Sequence, residues 1–405
     1  MTPADIDRLS DLIVRRGLQG MAVPALLQLF CEKSGSLGLP INRALMVIDT
    51  LHPVHEGHVF RWRNDGQEDD GPVREYGPTN EGEAALSWQR SPFFHLLQIG
   101  QEELRRRIGF GESSDFAVIQ DMKDAGHTDY MVFVHRFAAE GTIGEMDCFY
   151  SAWSTRHPDG FSDADIAALR RLVPVLGLAV KSASLAQIAS TLVDVYLGRD
   201  AGQRVLRGRI QRGVADRIDA VLWFSDLRSF TTITDTARPN EIIPLLNDYA
   251  EAVITAIHEA GGDVLKLIGD GTLAIFRADD PAAACASALA AEADMRRRVQ
   301  ELNERRKAGE QPTTSVYVGL HIGEVFYGNI GSVDRLDFTV VGPAVNETSR
   351  IASMCRSVDR PLLISSDFAE MLPEAPRATL VSVGRYALRG VGRAKELFTL
   401  DPAVL

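Results

Sequence analysis

The chain has 405 residues, 45% of them hydrophobic, which is enough for two or three domains with ordinary globular cores. A formal net charge of −12 argues against a general nucleic-acid-binding protein, because such proteins present a cationic surface to phosphate groups. The cysteines are far apart and lie in apolar stretches, as buried thiols in a reducing compartment do: Cys31, Cys148, Cys285 and Cys355. A cytoplasmic protein is therefore expected.

Neither a secretory signal nor a membrane span is expected. Met1–Arg8 is polar and acidic, unlike the start of a signal peptide. The most apolar stretch, Ile166–Ile188, is interrupted by three charged residues and by Pro174, so it should not cross a bilayer. The composition thus predicts a soluble protein without a membrane or nucleic-acid partner.

The first region, residues 1–160, mixes helix-like and strand-like segments. Two segments have helical spacing of apolar residues, Ile6–Ile13 and Val23–Cys31. Others alternate or run apolar as strands do: Ala44–Leu51, Met131–Phe137 and Met146–Ser154. Asn64–Glu83 is polar and rich in turn residues. This pattern predicts a small mixed α/β domain of the sensor type.

The second region, residues 161–216, reads as a connecting helix and linker. Ser162 is placed as an N-cap and Asp165 as its reciprocal partner, as in a capping box. Apolar residues then recur at near-helical spacing from Ile166 to Val195, and Pro174 should bend the helix. The spacing is not strictly heptad, so the sequence leaves open whether two copies form a coiled coil.

The third region, residues 217–405, alternates strands and helices. The predicted order is strand Ile218–Ser225, helix Asn240–Ala260, a hairpin around Gly269–Gly271, helix Ala282–Arg306 and strand Thr314–Ile322. This βαββαβ order is that of a ferredoxin-like split βαβ unit, so the fold class is α+β. Further strands are predicted at Leu362–Ile364, Thr379–Tyr386 and Glu396–Leu400.

Two aspartates in this region each follow an apolar strand. Asp226 ends one strand and Asp270 lies in the hairpin turn, and the split βαβ topology makes these strands neighbours. Carboxylates that leave room for substrate phosphates suit Mg²⁺, and two ions about 3.5–4 Å apart can promote an in-line displacement. Read singly, each aspartate could be a cap or turn residue; together they indicate a metal site.

Three donors add to this picture. Asn346 and Arg350 are one turn apart on a helix that begins near Gly342–Pro343, so both can face a phosphate whose charge is developing. An exposed polar helix face is the alternative. Lys266 lies in an apolar strand, where it either faces outward or donates to a purine ring nitrogen.

These segments resemble the catalytic domain of class III nucleotidyl cyclases over about Arg217–Leu400. The metal aspartate with its following Phe-Thr pair matches Asp226–Thr231, Lys-x-x-Gly-Asp matches Lys266–Asp270, and Val-Asn-x-x-x-Arg matches Val345–Arg350. Ser229 and Pro343 depart from the common pattern, since many members have glycine and an acidic residue there. Neither departure removes a catalytic group.

The resemblance implies a role for each matched residue. Asp226, Asp270 and the backbone carbonyl of Leu227 would hold two Mg²⁺ or Mn²⁺ ions, while Asn346 would orient the ribose and Arg350 would stabilise the transition state. Lys266 and Thr339 would select the base, and this pair suits adenine. The other implied substrate-binding positions are Phe230, Thr231, Arg389 and Arg335.

The same resemblance implies a homodimer. In the family, the metal aspartates come from one subunit and the remaining set from the other, so two sites form at the subunit interface and a monomer is inactive. The implied activity is that of an adenylate cyclase, which converts ATP to cyclic AMP and pyrophosphate. A guanylate cyclase, or a non-catalytic nucleotide sensor with the same fold, is the alternative.

Weaker signals concern other segments. Met146–Trp153, followed by His157–Phe161, resembles part of a GAF-type sensor domain, which would regulate the cyclase through the connecting helix. The sequence does not distinguish binding of a small ligand by this domain from simple dimerisation. Gly261–Asp263 is similar to a diguanylate cyclase signature but is better explained as a turn. The histidines at 52, 55 and 58 are interpreted as ordinary loop or strand-edge residues.

Overall fold

The computed structural model describes residues 1–65, 71–113, 115–137, 143–144 and 146–402. They form two compact units, Met1–Leu192 and Val193–Leu405. The division between the units falls within the helix Asp163–Leu197, here called α6.

The N-terminal unit is built on one antiparallel sheet of six strands. Its elements are α1 (Pro3–Leu18), α2 (Val23–Ser36), β1 (Arg43–Asp49), β2 (Gly57–Arg63), β3 (Val73–Tyr76), α3 (Gly82–Gln89), α4 (Pro92–Ile99), β4 (Glu103–Arg106), a 3₁₀ turn (Ile108–Phe110), α5 (Ala117–Asp124), β5 (Asp129–Arg136), β6 (Cys148–Thr155) and the first part of α6. The strand order is β3-β2-β1-β6-β5-β4. Because strand residues alternate between faces, Phe149 and Trp153 join the core with α1, α2 and α6, whereas Tyr150 joins α4 and α5.

The predicted α/β character of this unit is confirmed, and the polar, turn-rich stretch Asn64–Glu83 also holds secondary structure that was not predicted. It contains β3 and the start of α3, while residues 66–70 lie outside the described part of the chain. Strand β3 is at the sheet edge and three of its four residues are exposed, so it lacks the apolar alternation that marks a strand in sequence.

Helix α6 begins with the predicted capping box. The Asp165 N–H donates to Ser162 Oγ at 3.2 Å, and the Asp165 carboxylate accepts from the Ser162 N–H at 2.9 Å. The helix is 35 residues long and contains Pro174 in its interior. Its length and composition would suffice to cross a membrane. Its buried side chains nevertheless lie in the core of the N-terminal unit, where Leu172 and Leu176 are fully buried.

The C-terminal unit continues with helices on a larger sheet. Its elements are α7 (Arg199–Leu206), β7 (Ala215–Leu227), α8 (Phe230–Thr236), α9 (Pro239–Glu259), β8 (Asp263–Ile268), β9 (Gly271–Arg277), α10 (Pro281–Ala308), β10 (Val316–Gly331), β11 (Leu336–Val341), α11 (Pro343–Val358), β12 (Leu362–Ser365), α12 (Ser366–Met371), α13 (Glu374–Arg377), β13 (Leu380–Tyr386) and β14 (Lys395–Leu400). The strand order is β13-β14-β12-β10-β7-β9-β8, with β11 paired to β10.

The central strands confirm the ferredoxin-like prediction. In the order β10-β7-β9-β8, the first strand of the unit lies between the fourth and the third, as in a split βαβ fold. Helices α9 and α10 pack on one face, where Trp223 and Tyr249 are buried. Helix α11 lies directly on β10 on the other face, since a Cβ on Gly319 would be 2.6 Å from the Ala352 nitrogen.

The hairpin β10–β11 was missed at the sequence level. The predicted strand ended at Ile322, but β10 continues to Gly331 and turns back into β11, with Gly328 opposite Thr339. Glycines at positions 319, 323, 328 and 331 weaken the strand signal of this segment. The hairpin matters because it carries Thr339, one of the predicted base-selecting residues.

Candidate active site

Two carboxylates meet at the end of β7. Asp226 is opposite Tyr317 of β10, and on its other side β7 pairs with β9, with Ser225 opposite Thr272. This pairing brings the β8–β9 turn, and with it Asp270, beside the end of β7. The Leu227 N–H donates to Asp270 Oδ2 at 3.2 Å, which fixes the turn over the strand.

The glycines of the turn allow this approach. Gly269 has φ +62°, in the left-handed region that favours glycine. A Cβ on Gly271 would lie 2.9 Å from the Ser225 carbonyl oxygen, so any side chain there would push the turn away from β7. Both glycines therefore serve to hold Asp270 close to Asp226.

Electrostatics show how close the two carboxylates are. Burial, together with a hydrogen bond to Asp270 and the charge of Asp270, raises the pKa of Asp226 to about 6. Below about pH 6 one carboxyl of the pair is therefore protonated, and at higher pH the two negative charges repel each other unless a cation lies between them. Hard oxygen donors at a strand end, half-open to solvent, fit divalent ions of the Mg²⁺ type.

The segment after Asp226 turns sharply into α8. Ser229 has φ 57° and ψ 28°, a left-handed conformation that a non-glycine residue adopts only at a cost. Phe230 begins α8 and packs partly against the core, whereas Thr231 is exposed. The glycine found here in many class III cyclases would adopt this conformation without strain.

Lys266 has a partner that sequence reasoning missed. Its ammonium group donates to the carboxylate of Asp337, and both side chains are about two-fifths exposed, at 37% and 40%. Asp337 and Thr339 are two residues apart on β11, so they project from the same side of the hairpin. The signal was available, since Asp337 precedes Thr339 by one strand period, but it depends on recognising β11 as a strand.

The predicted Asn/Arg pair lies on α11. Asn346 is exposed and Arg350 is half-buried. The Arg350 guanidinium lies against the loop between β13 and β14, where a Cβ on Gly390 would be 3.4 Å from both of its Nη atoms. Arg389, the preceding residue, is exposed beside this contact.

The predicted residues thus form separate groups within the single chain. Asp226 and Asp270 form one group with Leu227. Lys266 forms a second group, because it pairs with Asp337, which lies on the same strand as Thr339. Arg350 forms a third, in contact with the loop that carries Arg389. Arg335 is not part of any of these groups. It lies in the exposed turn of the β10–β11 hairpin, where its N–H donates to Ser332 Oγ at 3.1 Å.

The comparison with known families settles what this unit is. Residues 214–401 match the adenylate and guanylate cyclase catalytic domain. The C-terminal unit is a class III nucleotidyl cyclase domain. The family match extends from Val214, just before the long strand β7, almost to the end of the described chain.

Proteins similar to the cyclase domain include adenylate cyclases and guanylyl cyclases. An adenylate cyclase of Anabaena cylindrica is 35% identical over 167 residues, which are 40% of this chain and 32% of that protein. The chain spans about a third of the length of the curated relatives that it matches. Among solved structures, the adenylyl cyclase CyaB from P. aeruginosa is 22% identical, with a TM-score of 0.42 over 46% of this chain and 96% of that one. The guanylyl cyclase Cya2 is 27% identical, with a TM-score of 0.41 over 46% of this chain and 93% of that one.

The weaker sequence signals have local structural roles. His52 Nδ1 accepts the backbone N–H groups of Val54 and His55, at 3.2 and 3.3 Å, and so closes a turn. Within the described ranges, no three histidine, cysteine or acidic side chains are grouped to hold a metal ion. Gly261 has φ +82° and ends α9, as the turn interpretation of Gly261–Asp263 expected.

Proposed function

We propose that the protein is an adenylate cyclase that converts ATP to 3′,5′-cyclic AMP and pyrophosphate. The observation that carries this proposal is the pairing of Asp226 with Asp270 at the end of β7, inside a domain of the nucleotidyl cyclase family. A degenerate sensor with this fold would have no need for two mutually repelling carboxylates. The buried side of α6 and the charge of the chain favour a soluble, cytoplasmic location.

Asp226, Asp270 and the carbonyl of Leu227 would hold two divalent ions, Mg²⁺ or Mn²⁺. When bound, such ions lower the pKa of an attacking hydroxyl and neutralise charge on the phosphates. The protein contributes a fixed, preorganised carboxylate pair, held by the Leu227 N–H and by the close approach of Gly271 to β7.

Lys266 and Thr339 support adenine as the base. The ammonium group of Lys266 can donate to adenine N1, which is an acceptor, whereas guanine carries a hydrogen at N1. The Thr339 hydroxyl can accept from the exocyclic amine of adenine. Asp337 holds the ammonium group on the side of β11 that presents Thr339, which keeps the lysine extended toward the base rather than free in solvent.

The donors on α11 would act on the ribose and the α-phosphate. The exposed Asn346 amide can orient the ribose so that its 3′-hydroxyl attacks in line, and the Arg350 guanidinium can neutralise charge that develops on the α-phosphate. Arg389, next to the Gly390–Arg350 contact, would bind the β- and γ-phosphates that leave as pyrophosphate.

The position of α11 supports sites that two copies share. Arg356, in the last turn of α11, is near enough to Asp226 for its charge to lower the pKa of that carboxyl. Asn346 lies ten residues before Arg356 on the same helix, or about 15 Å along its axis. The carboxylates of one chain therefore lie near the C-terminal end of its own α11, away from Asn346 near the start of that helix. A second copy of the chain would supply Asn346 and Arg350 to them.

Exposed apolar side chains around Lys266 favour the same assembly. They lie on β8 and on the β10–β11 hairpin, and a second copy of the chain would cover them: Leu267, Ile268, Phe326, Ile330, Leu336 and Val341. A homodimer related by a two-fold axis would bury this surface twice and form two equivalent sites.

The N-terminal unit would regulate the cyclase. A cavity of about 990 Å³ lies between its sheet and the helices α3 and α4, large enough for a small organic ligand. Its wall combines aromatic rings with carboxylates: Asp49, Glu56, Tyr76, Trp88, Phe93 and Tyr150. The proposal is that a small molecule bound here changes cyclase turnover through α6.

The activity is tested by incubating the purified full chain with ATP or GTP plus Mg²⁺ or Mn²⁺ and identifying the product. Cyclic AMP from ATP, with little cyclic GMP from GTP, is expected. Dominant cyclic GMP would contradict the adenine assignment of Lys266 and Thr339. Absence of product from both nucleotides with either metal would contradict the cyclase proposal itself.

A further inference from the structure

A network of four ionisable side chains joins α11 to the strands on one side of the sheet. Glu347 follows Asn346 on α11, and His321 lies on β10, Asp367 on α12 and Lys395 at the start of β14. His321 is only 4% exposed, and the Glu347 and Lys395 side chains are 17% and 22% exposed. The network thus lies mostly inside the protein, and no proposed catalytic role uses it.

Lys395 is the centre of the network. Its Nζ lies 3.2 Å from Glu347 Oε2 and donates to Asp367 Oδ2 at 2.7 Å. One cation therefore bridges two carboxylates that belong to different helices. Asp367 is more exposed, at 46%, so the better buried half of the bridge is the one that reaches α11.

His321 completes the surroundings of Glu347. The Ser365 hydroxyl accepts the Phe368 N–H at 3.2 Å and lies 2.8 Å from His321 Nδ1, so its own hydrogen is available for that nitrogen. Burial lowers the pKa of His321 against the charges of Glu347 and Asp367, which favours the neutral ring. Its Nε2–H then faces Glu347 Oε2 at 3.5 Å, and Glu347 is held between a lysine and a histidine.

Lys395 also closes the loop that contacts Arg350. The segment between β13 and β14 passes Gly390 against the Arg350 guanidinium and ends at Lys395, which pairs with Glu347. Glu347 and Arg350 are three residues apart on α11, so the loop is attached to one side of the helix at two points. Arg389 immediately precedes the first of these two attachments, at Gly390.

We propose that Lys395 is a positioning residue of the cyclase site. Its ion pair with Glu347 sets the position of α11, which bears Asn346 and Arg350, relative to the loop that bears Arg389. This inference rests on the proposed cyclase function and adds a residue that touches neither nucleotide nor metal. A partly buried ion pair adds little net stability, so the geometry it fixes is the better explanation for its presence.

The test is steady-state kinetics of ATP turnover by the full chain with the variant Lys395→Met. Loss of the bridge lets α11 and the loop move separately, so kcat should fall by about tenfold or more while KM for ATP changes by less than about threefold. Lys395→Arg, which can still bridge both carboxylates, should keep at least about half of the wild-type kcat. The matched control is Asp367→Asn, which removes only the half of the bridge that does not reach α11, and should change kcat by no more than about twofold.

A second variant separates positioning from charge balance. Lys395→Met leaves Glu347 without its cation and could destabilise the fold, whereas Lys395→Met combined with Glu347→Gln leaves no unpaired charge. The double variant should recover the thermal unfolding midpoint but keep the low kcat. Recovery of kcat in the double variant, or a wild-type kcat in Lys395→Met, would overturn the inference while wild-type turnover upholds the cyclase. A wild-type protein without turnover would instead overturn the proposed function and this inference with it.

Discussion

At the scale of single residues, the candidate site holds two carboxylates that repel each other when charged, and a bound divalent cation would relieve that repulsion. Asp226 and Asp270 are held together by backbone contacts, the Leu227 N–H and the glycine approach to Ser225, rather than by a counter-charge between them. Burial, and after it the hydrogen bond to Asp270 and the charge of Asp270, raises the pKa of Asp226. Under the proposed function, the carboxylates that would bind the metal ions therefore disfavour folding of the metal-free chain.

Replacing Asp226 by asparagine should stabilise the metal-free protein and abolish turnover. The pKa of Asp226 rises from 3.8 to about 6 on folding. The protonated Asp226 therefore contributes to the stability of the wild-type protein below pH 3.8, and that contribution is lost as the pH rises through 6. At pH 8 the variant should gain about 1–2 kcal/mol, discounted for partial exposure, since one pKa unit is about 1.4 kcal/mol. The first measurement is the thermal unfolding midpoint between pH 4 and pH 8 in the presence of a chelator. The second, made separately with Mg²⁺ or Mn²⁺, is cyclase activity.

The matched control is Asp219→Asn, an exposed position on the same strand, which should leave both the midpoint and the activity unchanged. Mn²⁺ should raise the midpoint of the wild type and of Asp219→Asn but not of Asp226→Asn. Equal stabilisation of all three proteins by Mn²⁺ would argue against a metal at this position.

Ser229 offers a second residue-scale prediction. Its left-handed backbone costs a residue with a Cβ about 1–2 kcal/mol, and glycine, which is more flexible when unfolded, recovers part of this. Ser229→Gly should leave stability unchanged or raise it by up to about 1 kcal/mol, and Ser229→Val should lower it by about 1 kcal/mol or more. Urea unfolding of the three proteins decides this. A valine variant as stable as the glycine variant would show that the turn is not strained.

At the scale of elements, the position of α11 depends on the lack of a side chain at Gly319 of β10. A Cβ on Gly319 would lie within 3 Å of backbone and side-chain atoms of Ala352, and neither belongs to a flexible side chain that could move aside. Gly319→Ala should therefore shift the helix, with a loss of about 1–3 kcal/mol in stability and a fall in kcat. Gly309→Ala is the control, because its Cβ would meet only ordinary contacts at 3.6 Å and beyond. Equal unfolding midpoints for the two variants would contradict the close packing of α11.

The elements also show what the sequence could reveal. Helices α9 and α10 and the β8–β9 hairpin were predicted because periodicity, caps and turn glycines all agree there. The hairpin β10–β11 was missed because glycines interrupt its apolar pattern. Strand β3 was missed because an exposed edge strand has no apolar alternation. Asp337 was missed for the same reason, since its link to Lys266 depends on β11.

That Asp226 and Asp270 are neighbours was easier to predict than the contacts of the other candidate residues. Asp226 and Asp270 could be paired from topology alone, because a split βαβ order fixes which strands are neighbours. The Lys395–Glu347 bridge joins residues 48 positions apart through elements whose relative placement no local pattern specifies. Such long-range contacts follow from tertiary packing, which composition and periodicity do not encode.

At the scale of the whole molecule, the remaining question is how many chains one site requires. Within one chain, Asp226 lies near Arg356 while Asn346 is about 15 Å further along α11. The apolar residues around Lys266 are exposed in a single chain. Both observations favour two sites, each built from the carboxylates of one protomer and the α11 donors of its partner.

Mixing two inactive variants tests this arrangement. Asp270→Ala lacks a carboxylate and Arg350→Ala lacks the guanidinium, so homodimers of either should be inactive. A mixed dimer has one intact site, formed by the carboxylates of the Arg350→Ala chain and the arginine of the Asp270→Ala chain. When equal amounts exchange freely, half of the dimers are mixed and each has one of two sites, so about a quarter of wild-type activity should return. If each site belonged to a single chain, every site in the mixture would lack one group and no activity would return, whatever the ratio of the two proteins.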